Sequence, residues 1–161
     1  MPSLPAALRE QLDAFINGPA LVRQAIDGID AGLLNRRPPG DDWSIRDVVL
    51  HLSDVELVGA VRIRLALAEE SPPMPMYEQE AWKRRLQYLW RDPEAALGLF
   101  QQTRYATAEI LEHCGVEAWQ RTTIHPERGL LTVSDLVGTS VDHVTGHVAQ
   151  IGNARAAFSS G

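Results

Sequence analysis

The segment at residues 132–158, TVSDLVGTSVDHVTGHVAQIGNARAAF, predicts one long helix. Thr132, followed three residues later by Asp135, has the pattern of a capped helix start. Apolar and histidine side chains then recur at steps of three and four, so they share one helical face. The members of this stripe are Leu136, Ser140, His143, His147, Ile151, Ala154 and Phe158. Two histidines are therefore predicted to face a protein core.

Three more long helices are predicted upstream, at residues 3–29, 44–69 and 92–115, with a short helical piece at 78–90. Ser44 with Asp47, and Asp92 before Pro93, are capping signals for the second and third helices. Gly18-Pro19 predicts either a kink or a break in the first helix. No stretch shows the sustained alternation of a strand. The chain is therefore predicted to be all-α, a four-helix bundle, and the connection at 70–92 permits a crossover without fixing the helix order.

Length, charge and cysteine content narrow the class of protein. A chain of 161 residues fits one domain, residues 1–161. With 15 basic and 21 acidic residues the net charge is -6, and the absence of a basic stripe argues against nucleic-acid binding. No apolar run approaches the roughly 18 residues that span a membrane. One cysteine and a start without an apolar signal segment favour the cytoplasm.

Three histidines have a pattern that suggests a metal site. His143 and His147 are four residues apart on one helix, which places their imidazoles side by side. His51 lies on the apolar side of the second helix, so all three are expected to point inward. A shared divalent ion with an open coordination position explains the set. The alternatives are an exposed or capped pair for His143 and His147, and a hydrogen-bonded core residue for His51. Imidazole ligands suit zinc, nickel, copper or iron, with zinc or nickel favoured.

Other candidate residues have weaker signals. Asp54 and Gln150 lie near the histidine faces and are candidates for orienting an imidazole, or else are surface polar residues. Asp54 and Glu56 are the candidate general bases for a hydrolytic reaction. His125 lies in a loop before the last helix, within reach of a pocket mouth or simply in solvent. His113 is expected to stabilise the end of its helix.

Two stretches resemble a known family. Residues 43–56, WSIRDVVLHLSDVE, are followed far downstream by residues 143–151, HVTGHVAQI, with HPERG at 125–129 between them. In this order the stretches resemble the DinB-like family and its YfiT-like members, proposed metal-dependent hydrolases, along nearly the whole chain. The resemblance implies an up-down-down-up four-helix bundle and a metal held by His51, His143 and His147.

The resemblance also limits the function to a few classes. The family includes enzymes that use low-molecular-weight thiols, so the first hypothesis is a thiol-dependent S-transferase in which a bound ion favours the thiolate. The alternatives are a metal-dependent hydrolase and a non-catalytic metal-binding stress protein. In each enzymatic case the partner is a small molecule, without nucleic acid or membrane. A homodimer is a candidate assembly, and the sequence leaves the oligomeric state open.

Overall fold

The structure, a computed structural model, describes residues 4–159. Four long helices dominate it, and two short helices, a single 3₁₀ turn and a small hairpin connect them. The helices are α1 (Ala6–Ile26), α2 (Ala31–Asn35), α3 (Ile45–Ala68), α4 (Gln79–Arg85), α5 (Pro93–His113) and α6 (Val133–Ser159); the 3₁₀ turn is Val116–Gln120, and the strands are β1 (Thr122–His125) and β2 (Gly129–Thr132). The predicted helix start at Ser3 lies outside the described residues. None of the helices within residues 4–159 is both long and apolar enough to cross a bilayer.

Two apolar clusters, one in each half of the bundle, reveal the helix directions. One cluster joins the N-terminal halves of α3 and α5 to the C-terminal half of α1 and to the middle and C-terminal half of α6; it includes Val22, Val48, Val49, Leu97, Phe100, Val144 and Ile151. The other joins the opposite halves and includes Leu12, Ile63, Ala66, Ala108, Leu111, Val133 and Val137. Helices α3 and α5 are therefore parallel to each other and antiparallel to α1 and α6. This up-down-down-up order and the all-α bundle confirm the predicted fold.

The parallel pair α3 and α5 requires a connection that returns along the whole bundle. Residues 69–92 make this return and contain α4. Pro73 forms a parallel bridge with Ile124 of β1, with Met74 N–H donating to the Ile124 carbonyl at 2.9 Å. Arg62 of α3 donates to the carbonyl of Pro75 from two of its nitrogens. The crossover is thus fixed to both α3 and the hairpin.

Capping groups start the long helices where the sequence predicts. Ser44 and Asp47 bond each other's backbone N–H groups at the start of α3, a complete capping box. Asp92 accepts from the Glu94 N–H before α5, whose first residue is Pro93. Thr132 and Asp135 make the same reciprocal pair before α6. The predicted starts of α3, α5 and α6 are confirmed within one residue.

A two-stranded hairpin precedes α6, where the sequence indicates no strand. Its strands β1 and β2 pair antiparallel over four residues each. Gly129 has a φ of +76°, in the left-handed region that glycine adopts without a steric penalty. Strands this short contain too few residues to display an alternating pattern. The sequence does not predict α2, which is capped by Asp30, because its five residues are likewise too few to show a periodic pattern.

Helix α1 passes through Gly18-Pro19 without a break, and Arg104 of α5 explains how. A proline has no N–H, so Pro19 leaves the carbonyl of Phe15, four residues earlier, without its helical partner. The guanidinium of Arg104 donates to that carbonyl from Nη1 at 3.1 Å. Gly18 provides the space that the guanidinium needs, because a Cβ at this position would lie 2.3 Å from Arg104 Nη1. The Gly-Pro pair therefore serves as a docking point for a buried arginine.

Candidate metal centre

Three imidazoles meet between α3 and α6. Nε2 of His143 lies 3.2 Å from Nε2 of His51 and 3.1 Å from Nε2 of His147. The candidate ligand atoms of all three lie within 4.8 Å of one another. His51 is 1% exposed, and the ring of Trp43 packs edge-on against it with centroids 5.1 Å apart. The structure thus brings together the three histidines that the sequence pattern selects.

A hydrogen-bond relay fixes the orientation of His147. Gln150 donates from Nε2 to Asp41 Oδ2 at 2.8 Å, and a carboxylate only accepts, so the amide oxygen faces His147. The Nδ1–H of His147 donates to that oxygen at 2.8 Å. Because the proton is on Nδ1, the Nε2 atom of a neutral His147 carries a lone pair directed at His143. Gln150 is confirmed as an orienting residue, whereas Asp41 was missed because it lies in a loop 109 positions away.

Burial keeps the three imidazoles neutral at physiological pH. Removal from water, and then repulsion from the other two rings, lowers the pKa of His51 to about 3. The pKa of His143 is lowered to about 4 by burial, His147 and Arg104. Burial also lowers the pKa of His147, opposed by Gln150 and Asp41. Neutral imidazole is the form that ligates a metal ion.

The donor set fits a divalent transition ion. Three neutral nitrogens converge, and among the described residues the Nε2 lone pair of His147 has no hydrogen-bond donor other than the neighbouring imidazoles. A cation placed among them would satisfy all three at once. Three histidines with a further open position form the usual ligand set of catalytic zinc, and nickel accepts the same donors. The residues present therefore fit a divalent transition ion.

A cavity of about 230 Å³ extends from His143 along the groove between α3 and α6. Its apolar wall comes from both helices and from the crossover and hairpin; it includes Leu52, Val55, Ile63, Met74, Leu131, Leu136 and Val144. Its polar lining includes Glu56, Arg62, Tyr77, Arg104, His125, Arg128 and Ser140. A small molecule in this space would have one end at the histidine cluster. His125, an uncertain candidate in the sequence, lines the cavity.

Glu56 lies beside the cavity in a buried ion pair with Arg104. Its Oε2 accepts from Arg104 Nε at 3.1 Å and from Nη2 at 2.5 Å, and Nη2 also donates to Ser140 at 2.7 Å. The rings of Phe15 and Phe100 lie 4.2 and 4.8 Å from the guanidinium carbon. Arg104 thereby connects all four long helices. Sequence reasoning missed it, since an arginine within a helix gives no sign of its distant partners.

The remaining sequence candidates lie elsewhere. Asp54 is buried, but both its oxygens accept from Arg91, at 2.7 and 2.9 Å, in a bidentate pair. His113 is exposed at the end of α5, and its Nδ1 lies 2.7 Å from the Glu109 carbonyl. Neither residue belongs to the histidine cluster.

The sequence profile of the DinB superfamily matches residues 14–151. The chain belongs to the DinB superfamily. Within this superfamily it is similar to YfiT of Bacillus subtilis, named as a proposed metal-dependent hydrolase, with 28% identity over 148 residues, 89% of this chain and 83% of the relative. A proposed metal-dependent hydrolase of Oceanobacillus iheyensis is 24% identical over 144 residues, 89% of this chain and 83% of the relative.

Two solved structures share the fold of this chain. The structure of YfiT, described as having an unusual four-helix bundle topology, matches with a TM-score of 0.86 and 25% identity; the match covers 96% of this chain and 89% of that one. A mycothiol-dependent maleylpyruvate isomerase matches with a TM-score of 0.73 at 15% identity, covering 94% of this chain and 64% of that one. The second likeness concerns the fold alone.

Proposed function

We propose that the protein is a metal-dependent enzyme that transfers a low-molecular-weight thiol to an electrophilic small molecule. His51, His143 and His147 would hold the ion, since their Nε2 atoms converge. When bound, a divalent transition ion stabilises the thiolate form of a thiol at neutral pH. The observation that supports a transferase is the state of the two candidate carboxylates, because each is already paired with an arginine.

The pairing matters because hydrolysis and thiol transfer need different groups. Hydrolysis by water is helped by a carboxylate that accepts a proton near the metal. Asp54 has both oxygens occupied by Arg91, and the Oε2 of Glu56 is occupied by Arg104. A thiol is a stronger acid than water and loses its proton without such a base. The site therefore suits a thiol nucleophile better than water.

The chain's own residues supply orientation and desolvation. The Asp41–Gln150 relay holds His147 in the tautomer that directs Nε2 toward the other two histidines. The cavity between α3 and α6 holds the electrophile with its reactive end near His143. The protein cysteine Cys114 is not required, because the thiol is a separate molecule. In the transfer, the thiol releases its proton to water, the thiolate sulfur bonds to an electrophilic carbon, and the leaving group departs with its electron pair.

A hydrolase is the second candidate, and an unoccupied carboxylate oxygen favours it. Among the hydrogen bonds of residues 4–159, none reaches Oε1 of Glu56, which borders the cavity. That oxygen is available to accept a proton from water. The names of the curated relatives also favour hydrolysis. Asp54 has no comparable open oxygen.

A panel of reactions separates the candidates. Metal-loaded protein is incubated with bacillithiol, mycothiol, cysteine or glutathione and with chlorodinitrobenzene, which releases chloride on substitution. Ester and amide substrates without thiol form the second arm. We expect thiol-dependent product that is lost in His143→Ala and His147→Ala and retained in Cys114→Ser. Hydrolysis without thiol would assign the second candidate, and inactivity throughout would favour a non-catalytic metal protein.

A further inference from the structure

The polar lining of the cavity carries an excess of positive charge. It contains three arginines, Arg62, Arg104 and Arg128, and one carboxylate, Glu56, which is paired with Arg104. Within residues 4–159, neither Arg62 nor Arg128 forms a salt bridge. Two guanidinium charges thus line a cavity in a chain whose net charge is -6. A local positive field in an acidic protein selects for anions.

Arg62 is held in place with part of its guanidinium unoccupied. Nε and Nη2 donate to the carbonyl of Pro75, at 3.0 and 2.7 Å, and the guanidinium carbon lies 5.8 Å from the Tyr77 ring centroid. No hydrogen bond among the described residues uses Nη1 of Arg62. Burial raises the pKa of Tyr77, so its phenol stays protonated and can donate. A fixed cation with free donors loses little entropy on binding an oxyanion.

His125 provides a third donor because its tautomer is fixed. Its Nδ1 accepts from the backbone N–H groups of Glu127 and Arg128, at 3.1 and 3.2 Å. An Nδ1 atom that accepts two hydrogen bonds carries no proton, so the proton of the neutral ring is on Nε2. His125 therefore presents an N–H at the cavity lining. The backbone N–H and the hydroxyl of Thr132 donate to Oδ2 of Asp135, and these hydrogen bonds, together with a smaller contribution from the nearby Arg128, lower the pKa of Asp135.

These donors are grouped at the end of the cavity away from the metal centre. Arg62 binds Pro75, and the adjacent Met74 binds Ile124, the residue before His125. Arg62 follows His51 by eleven positions on α3, about 16 Å or three turns along the axis. Gly59 lies between them on the cavity wall, and a Cβ there would meet open space. The cavity thus has a histidine end, an apolar middle and a cationic end.

We propose that the cationic end, formed by Arg62, His125 and Arg128, binds the oxyanion of a small amphiphilic substrate, such as a carboxylate or a phosphate ester. The apolar part of this molecule lies along Gly59, and its other end reaches His143. That this second end is the reacting one rests on the proposed function. The oxyanion subsite itself requires neither thiol nor turnover.

Calorimetric titration with three probes of one chain length tests the subsite. Hexanoate and hexyl phosphate carry an oxyanion, and hexanamide replaces the carboxylate by a neutral amide of similar size. Titrations use metal-free and metal-loaded protein, so that binding to the ion is seen separately. In metal-free protein we expect at least one oxyanion to bind at least about tenfold more tightly than hexanamide. The preferred oxyanion identifies the substrate class.

Charge-removing variants locate the binding site. Arg62→Gln and Arg128→Gln should each weaken the oxyanion about tenfold and leave hexanamide unchanged. Arg85→Gln is the matched control, because it removes the same charge from an exposed residue outside the cavity lining. Equal affinity for acid and amide, or an equal loss in Arg85→Gln, would overturn the proposal.

Gly59→Leu supplies an independent test by filling the cavity. Leucine favours a helix more than glycine does, and the space at this position is open, so the fold should be kept. We expect metal content and helical signal at wild-type levels and no measurable oxyanion binding. If Gly59→Leu binds the oxyanion with wild-type affinity, the subsite lies elsewhere and the proposal is wrong. Oxyanion binding without thiol transfer would contradict only the proposed function.

Discussion

At the metal centre, the candidate ligand nitrogen of each histidine lies within 4.8 Å of those of the other two. The loss of any one ring should therefore empty the site. We predict that His51→Ala, His143→Ala and His147→Ala each reduce metal content below about one tenth of the wild-type level, because two ligands make a weak site. His113→Ala is the matched control, since His113 is exposed and outside the cluster. Elemental analysis of the purified variants measures the outcome. Full occupancy in any of the three would contradict the assignment.

The low pKa of His51 leads us to predict how the stability of the metal-free protein depends on pH. Unfolded histidine has a pKa of about 6.5, and burial lowers that of folded His51 to about 3. Above pH 6.5 both states are neutral; below it only the unfolded chain takes up a proton, so the free energy of unfolding falls as the pH falls. Between pH 6.5 and pH 5 the free energy of unfolding should fall by about 2 kcal/mol.

Urea unfolding at pH 7 and pH 5, with chelator present, measures this loss. In His51→Gln the difference between the two pH values should shrink by about 2 kcal/mol. His113→Gln removes an exposed histidine and should leave the difference unchanged. A His51→Gln protein with the full wild-type pH dependence would show that His51 is not buried neutral.

Between the elements, Arg104 connects α5 to the other three long helices. We predict that Arg104→Met destabilises the fold by about 3–5 kcal/mol, because Glu56 remains buried without a partner. Replacing both residues, as Arg104→Met with Glu56→Leu, should recover much of this loss, since no buried charge remains. Chemical denaturation at pH 7 gives the free energies.

An exposed ion pair between two of the same helices provides the comparison. Nη1 of Arg23 in α1 lies 2.5 Å from Oε2 of Glu94 in α5, and the two side chains are 53% and 63% exposed. Arg23→Met should cost less than about 1 kcal/mol, since solvent screens the pair. Similar losses in Arg23→Met and Arg104→Met would show that burial does not determine the effect.

The long helices were predictable because local signals determine them. Ser44, Asp92 and Thr132 are capping residues followed by apolar stripes, and each precedes a helix. The His143 and His147 spacing likewise predicts a shared face. The hairpin was not predictable, because four-residue strands have too short a pattern. The Arg104 and Glu56 contact joins residues 48 positions apart, and only the folded chain brings them together.

For the whole molecule, charge predicts what the protein does not bind. A net charge of -6 disfavours binding to the phosphates of DNA, and the two arginines without a salt bridge at the cavity, Arg62 and Arg128, are too few to form a basic face. We predict an affinity for duplex DNA weaker than about 10 μM at low salt, measured by fluorescence anisotropy. Tighter binding would contradict this prediction. The cytoplasmic location and the homodimer stay predictions.

The last prediction concerns the metal and the stability of the whole bundle. Both large apolar clusters form without a histidine, and they hold all four long helices together. Removing the ion should therefore leave the helical signal within about 10% of its starting value, because the core does not depend on the ligands. An ion present at about 100 times its dissociation constant adds roughly 2.7 kcal/mol to the folded state. In a chain of this size the melting temperature should then fall by about 5–10 °C on chelation.

Circular dichroism before and after chelation, followed by re-addition of zinc or nickel, measures both effects. His147→Ala serves as the control, since a protein that cannot hold the ion should melt at the same temperature with and without chelator. Loss of most of the helical signal on chelation at room temperature would mean that the ion holds α3 to α6 and that the core alone does not. That result would favour a structural metal over a catalytic one, because a structural ion supplies folding energy directly.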